Sequence, residues 1–122
     1  MTHVLIVDNH EADRKLLKTL LELNGYRVTA AGDGLEALAA ARGDWPDAIV
    51  SDVLMPNMDG FVLCHDWMRD EELRTIPFNF YTAHLTRRED EHVAMALGAA
   101  HYLIKPLEQE VFLRELHTVL QQ

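Results

Sequence analysis

A single cysteine, Cys64, stands in 122 residues. Without a partner it excludes an internal disulfide framework and fits a reducing compartment. No apolar run approaches the ~20 residues that a membrane helix needs. The first residues lack the basic stretch followed by an apolar segment that marks a secretory signal. Basic side chains are scarce, 11 Lys and Arg against 20 Asp and Glu, for a formal net charge of −9. That balance argues against sequence-independent binding to nucleic acid, which works by neutralising phosphates. The seven histidines form no i, i+4 pair and no zinc-type cluster, so they are read as mostly surface residues. Linkers, repeats and low-complexity tracts are missing as well. The expectation is a soluble, cytoplasmic, acidic single domain over 1–122. It is long enough to bury roughly two-thirds of its unfolded surface without covalent staples.

What is present is an alternation of two periods. Short apolar runs at His3–Val7, Arg27–Ala31, Ala48–Ser51, Pro77–Thr82 and Ala100–Ile104 are rich in Val, Ile, Tyr and Phe and read as buried strands. Most lack strict alternation, as expected of parallel strands covered on both faces. Between and after them lie amphipathic helical stretches. These are marked by Leu16, Leu17, Leu20, Leu21 and Asn24; Leu35, Ala37, Leu38 and Ala41; Phe61, Val62, Leu63, Trp67 and Met68; Val93 to Leu97; and Phe112, Leu116, Val119 and Leu120. Asp33-Gly-Leu-Glu36 and Thr86-Arg-Arg-Glu89 fit the capping box. Gly25, Gly43 and Gly98 fall where a helix C-cap favours glycine, and Pro46 and Pro77 stand at strand entries. Cys64, Met68 and Met95 are read as helix packing. The pattern predicts (βα)₅: a parallel sheet sandwiched between helices, joined by right-handed crossovers.

In such sheets the chemistry gathers beyond the carboxyl ends of the strands. Asp8 and Asn9 follow the first strand, Asp52 the third, Thr82-Ala83 ends the fourth, and Lys105-Pro106 follows the fifth. Two neighbouring carboxylates favour a hard cation, and Mg²⁺ takes oxygen ligands together with phosphate and water. An ionised Asp can attack an activated phosphoryl group to give an acyl phosphate. An ammonium and a hydroxyl can hold the phosphoryl oxygens.

Four segments, Val4-Leu-Ile-Val-Asp8, Ser51-Asp-Val-Leu-Met-Pro-Asn-Met-Asp-Gly60, Tyr81-Thr-Ala83 and Tyr102-Leu-Ile-Lys-Pro106, give the chain a specific resemblance. Over essentially its whole length it resembles a bacterial response-regulator receiver domain of two-component signalling, of the chemotaxis-receiver type. The resemblance implies a flavodoxin-like three-layer sandwich with a five-stranded parallel sheet in the order 2-1-3-4-5. It implies Asp52 as the phosphoacceptor, with Asp8, Asn9, Asp52 and the Leu54 carbonyl around Mg²⁺. Thr82 and Lys105 would contact the phosphate, Thr82 and Tyr102 would form the switch, and Leu54 and His84 would tune dephosphorylation. It also implies a cis bond at Lys105-Pro106. The partners implied are a histidine kinase or phosphotransfer protein, and an output partner on the face of helix four, strand five and helix five. A phosphorylation-dependent dimer is compatible with this. No activity as an enzyme is expected beyond self-phosphorylation and autodephosphorylation at Asp52.

One position departs from the family pattern. The family has two acidic residues after the first strand, and here the pair reads Asp8-Asn9. An Asn carbonyl can coordinate but brings no charge, so weakened Mg²⁺ binding is expected. The rival reading is a degenerate pseudo-receiver that acts as a constitutive interaction module. A flavin-binding domain is disfavoured because Asp8-Asn-His-Glu-Ala12 lacks a phosphate cradle. An aspartate-based phosphohydrolase is disfavoured because no second Asp stands two residues after Asp52.

Overall fold

The computed structural model describes residues 1–121; Gln122, the last residue of the expected domain, lies outside the described residues. The chain runs β1 (His3–Val7), α1 (Glu11–Leu23), β2 (Arg27–Ala31), α2 (Gly34–Gly43), β3 (Ala48–Ser51), α3 (Gly60–Arg69), a 3₁₀ turn (Leu73–Thr75), β4 (Phe78–Thr82), α4 (Arg88–Ala96), β5 (His101–Ile104) and α5 (Gln109–Leu120). All strand pairs are parallel, in the order β2-β1-β3-β4-β5. This is the flavodoxin-like arrangement that the resemblance implies.

The absence of alternation in the strands has a direct cause. Every residue of β1 and β3 is buried, and successive side chains enter two different cores. Leu5, Val7, Ile49, Phe78 and Phe80 pack with Leu63 and Trp67 of α3 and Ala94 of α4. Val4, Ile6 and Val50 pack on the opposite face with Leu21 of α1 and Phe112 and Leu116 of α5. Each such buried large side chain contributes roughly 1.5–3 kcal/mol. Tilted and edge-on aromatic contacts join Trp67, Phe78, Phe80 and Tyr102 in a line across the first core.

Several local expectations need correction. Thr86 does not cap α4. Arg87 is the N-cap, and Asp90 reaches back to accept from its backbone N–H at 3.1 Å. At α2, Asp33 accepts from the Glu36 N–H as expected, but Glu36 accepts from Gly32 rather than from Asp33. Gly43 is still helical, because Asp44 leaves α2 in an extended conformation. Gly25 and Gly98 do adopt positive φ, +90° and +107°. Leu16, Leu35, Val62, Val93 and Met95 are exposed, so the helical stripes are narrower than their apolar residues suggest.

Asp59 starts α3 by accepting from the Val62 N–H at 3.0 Å. Asp59→Ala is expected to cost about 1 kcal/mol of unfolding free energy in urea titration, the usual worth of an N-cap.

Candidate functional site

Sheet register brings the candidate residues together. Val7 pairs with Ser51, so the next residues, Asp8 and Asp52, emerge side by side at the carboxyl edge. The Asp52 N–H donates to the Val7 carbonyl at 2.9 Å, and the Lys105 N–H donates to the Thr82 carbonyl at 2.8 Å. The two carboxylates are buried, Asp8 6% and Asp52 3% exposed. Burying ionised carboxylates is expensive unless they are paired. Asp52 Oδ1 accepts from the Val53 N–H at 2.7 Å. Asp8 Oδ1 accepts from the His10 N–H at 2.8 Å, and Asp8 Oδ2 accepts from Lys105 Nζ at 2.9 Å. The Lys105–Pro106 bond is cis.

Burial opposes the charge on Lys105, but the hydrogen bond and charge of Asp8, with the charges of Asp52 and Asp13, outweigh it and hold its pKa above the ordinary value. Lys105 is therefore a permanent cation at neutral pH. Two carboxylates against one ammonium leave the pocket one negative charge in excess, the electrostatic setting of a cation site.

One member of this site escapes the sequence reading. A single ligand atom from each of Asp8, His10 and Asp52 lies within 4.8 Å of the others. His10 Nδ1 is 3.4 Å from Asp8 Oδ1. The donor set of two carboxylates and an imidazole suits a divalent cation. The available signal was position alone, since His10 lies in the loop that carries Asp8 and Asn9. Asn9 is exposed beside it.

The expected switch residues are tied to one loop. Thr82 is fully buried; its Oγ1 donates to the His84 carbonyl at 2.8 Å and accepts from the His84 N–H at 3.0 Å. Tyr102 is 9% exposed, and its hydroxyl donates to the Leu85 carbonyl. Leu85 has φ 54°, a left-handed conformation that costs a leucine roughly 1–2 kcal/mol. Packing of Leu85 against the core and the Tyr102 hydrogen bond offset that cost. Leu54 and His84 are both exposed. Cys64 is buried in the core, where desolvation pushes its thiol up to about 12, as fits a packing residue.

Burial, then the charges of Asp90, Asp52 and Glu91, push the Tyr102 phenol up to about 12. An unfolded tyrosine ionises near pH 10. The raised folded value means that stability from Tyr102 is fully present below about pH 10 and is lost as pH climbs toward 12. Spectrophotometric titration should show a late tyrosine phase, and Tyr102→Phe should remove it.

Among the described residues no helix is long and apolar enough to cross a membrane. Comparison with known proteins agrees with the geometry. The response regulator receiver domain model matches residues 4–117. Response regulator PleD of Caulobacter vibrioides is 42% identical over 105 residues, covering 86% of this chain and 23% of PleD. The chain thus spans less than a quarter of that relative, and about half the length of several other curated relatives. Chemotaxis protein CheY4 of Vibrio cholerae superposes with a TM-score of 0.91 at 35% identity, covering 98% of each chain. The receiver domain of sensor histidine kinase PA1611 from Pseudomonas aeruginosa, solved with magnesium coordinated in its active-site cleft, gives a TM-score of 0.89 at 26% identity, over 99% of this chain and 98% of that one. A family match that spans nearly the whole sequence, on a sheet of the same order, makes this chain a receiver domain of the two-component response-regulator family.

Proposed function

We propose that Asp52 accepts a phosphoryl group from the phosphohistidine of a histidine kinase or phosphotransfer protein. The observation that carries this reading is a nearly buried Asp52 carboxylate, 3% exposed, at the sheet edge it shares with the Asp8–Lys105 pair. An Asp52 oxygen attacks phosphorus in line as the phosphorus–nitrogen bond breaks, and the electron pair leaves with the donor imidazole. Lys105 neutralises a phosphoryl oxygen. Asp8, Asn9, Asp52 and the Leu54 carbonyl are the groups that would hold Mg²⁺. The ion supplies charge neutralisation for the transferring oxygens when bound. The magnesium ion coordinated in the active-site cleft of the PA1611 receiver supports the choice of Mg²⁺ as the ion. A small phosphodonor such as acetyl phosphate would serve the same attack, and the domain works in the cytoplasm.

Phosphorylation then competes for Thr82. Its hydroxyl leaves the His84 backbone to donate to the phosphoryl group, and the loop holding the Leu85 carbonyl rearranges with it. Tyr102 loses its partner and turns. The α4–β5–α5 face, with Val93, Met95 and Ile104 already exposed, changes shape for an output partner or a second copy. Leu54 and His84 stand at the mouth of the site, where side-chain size sets the access of water to the acyl phosphate.

Asn9 favours one rival, a pseudo-receiver that binds a partner without phosphorylation. Intact mass after acetyl phosphate treatment, with and without Mg²⁺, separates the two. The receiver reading expects a Mg²⁺-dependent phosphoryl increment in the wild type. It expects Asn9→Asp to lower the Mg²⁺ requirement roughly tenfold, an effect one added charge near the ion can supply. No increment at any Mg²⁺ concentration, with Asn9→Asp restoring it, would establish the pseudo-receiver.

A further inference from the structure

His10 is the one nitrogen donor in the Asp8–His10–Asp52 cluster. Its place is fixed by the backbone. The His10 N–H donates to Asp8 Oδ1, and the imidazole Nδ1 lies 3.4 Å from that same oxygen. The side chain is 56% exposed and gives α1 no side-chain cap; the same Nδ1 also lies 3.9 Å from Asp13 Oδ2 on the first turn of α1. Ligands about 2.1 Å from an octahedral ion stand roughly 3 Å apart when adjacent and 4.2 Å when opposite. The trio Asp8, His10 and Asp52 offers one ligand atom each within 4.8 Å of one another, so the side chains would close in slightly on a shared ion.

We propose that the His10 imidazole is a further protein donor to the divalent cation, and that it shifts the site's preference from Mg²⁺ toward Mn²⁺. The inference rests on the metal half of the receiver reading. With Asn9 in place of a carboxylate, the electrostatic hold on any divalent ion is reduced. Mg²⁺ gains little from nitrogen, because it is hard and keeps oxygen ligands and water. Mn²⁺ accepts the same octahedral carboxylate and water set, and it stands at the weak end of the first-row series that binds nitrogen-containing sites. A nitrogen donor therefore adds more to the affinity for Mn²⁺ than to that for Mg²⁺. Lys105 occupies Asp8 Oδ2 and leaves Oδ1 facing the imidazole, so the ion does not have to displace the ammonium.

The test uses metal-free protein, Mn²⁺ as the probe and Mg²⁺ as its competitor, with no phosphodonor. Pulsed electron paramagnetic resonance of bound Mn²⁺ should show nitrogen modulation from a directly coordinated imidazole, lost in His10→Ala. The variant should also lose roughly tenfold of its Mn²⁺-over-Mg²⁺ preference. The exposure of His10 makes the substitution safe for the fold, which circular dichroism checks. Absence of nitrogen modulation in the wild type, its persistence in His10→Ala, or an unchanged preference would each overturn the proposal. Failure of the phosphoacceptor reading is visible separately, as absent labelling of protein whose Mn²⁺ signal still carries the nitrogen coupling.

Discussion

Asp52→Ala is expected to abolish phosphoryl incorporation from acetyl phosphate. The neighbouring nucleophiles do not take over. Ser51 is fully buried, and its hydroxyl donates to the Asp52 backbone carbonyl at 2.7 Å. Asp8 is held by Lys105 on one oxygen and by the His10 N–H on the other. The substitution leaves the Val53 N–H without its acceptor, at a cost of about 1–3 kcal/mol. Removing one of two adjacent buried carboxylates returns part of that through lost repulsion. Labelling should therefore fall to zero while the protein stays folded in a thermal melt. Full labelling of Asp52→Ala would mean that the acceptor is another residue.

The second large effect falls on the backbone beside Asp52. Gly60 opens α3 and donates its N–H to the Val53 carbonyl at 2.7 Å. A Cβ added there would land on the Asp52 carbonyl oxygen and come within 2.9 Å of Val53 Cα and 3.0 Å of Phe80 Cε1. Two of these neighbours are backbone, in the segment that carries Asp52, and Phe80 is a fully buried ring. None can give way cheaply. Gly60→Ala is expected to destabilise by roughly 3 kcal/mol, the upper part of the overpacking range. Tm should fall on the order of 10 °C. Gly34 makes a contrast: the atoms crowding its Cβ are Met58 Sδ at 2.8 Å and Cγ at 2.9 Å, which rotation can carry away, and Met58 Cβ at 3.0 Å, which needs only a small shift. Gly34→Ala should therefore lower Tm distinctly less in the same thermal melt. Equal losses at the two sites would refute the backbone explanation.

Much of this was legible in the residue order because it is local. Strands end where apolar runs stop, so Asp8, Asp52, Thr82 and Lys105 could be assigned to one edge from the sequence alone. The strand order was available only through the family resemblance. What escaped depends on how loops turn. Gly43 looked like a C-cap, yet the chain leaves α2 extended through Asp44 toward Pro46, and no left-handed residue is needed. His10 reads as a surface histidine and is one, 56% exposed, but its nearness to the carboxylates was not legible. The Asp8 side chain, by accepting the His10 N–H, folds the loop so that the imidazole faces the carboxylates. The same limit applies to Leu85, whose left-handed conformation is set by the core and by Tyr102 rather than by its own preference. Met95 and Val93 read as packing residues because hydrophobicity alone does not say whether a face has a neighbour. On α4 only Asp90 and Ala94 are fully covered.

The central claim is that Asp52 carries the phosphoryl group, and the most direct measurement is its location in the chain. Protein treated with acetyl phosphate and Mg²⁺, reduced with borohydride to fix the acyl phosphate, then digested and sequenced by mass spectrometry, should carry the reduced residue at position 52 and nowhere else. Modification confined to a histidine, to Ser51 or to Asp8 would contradict the account.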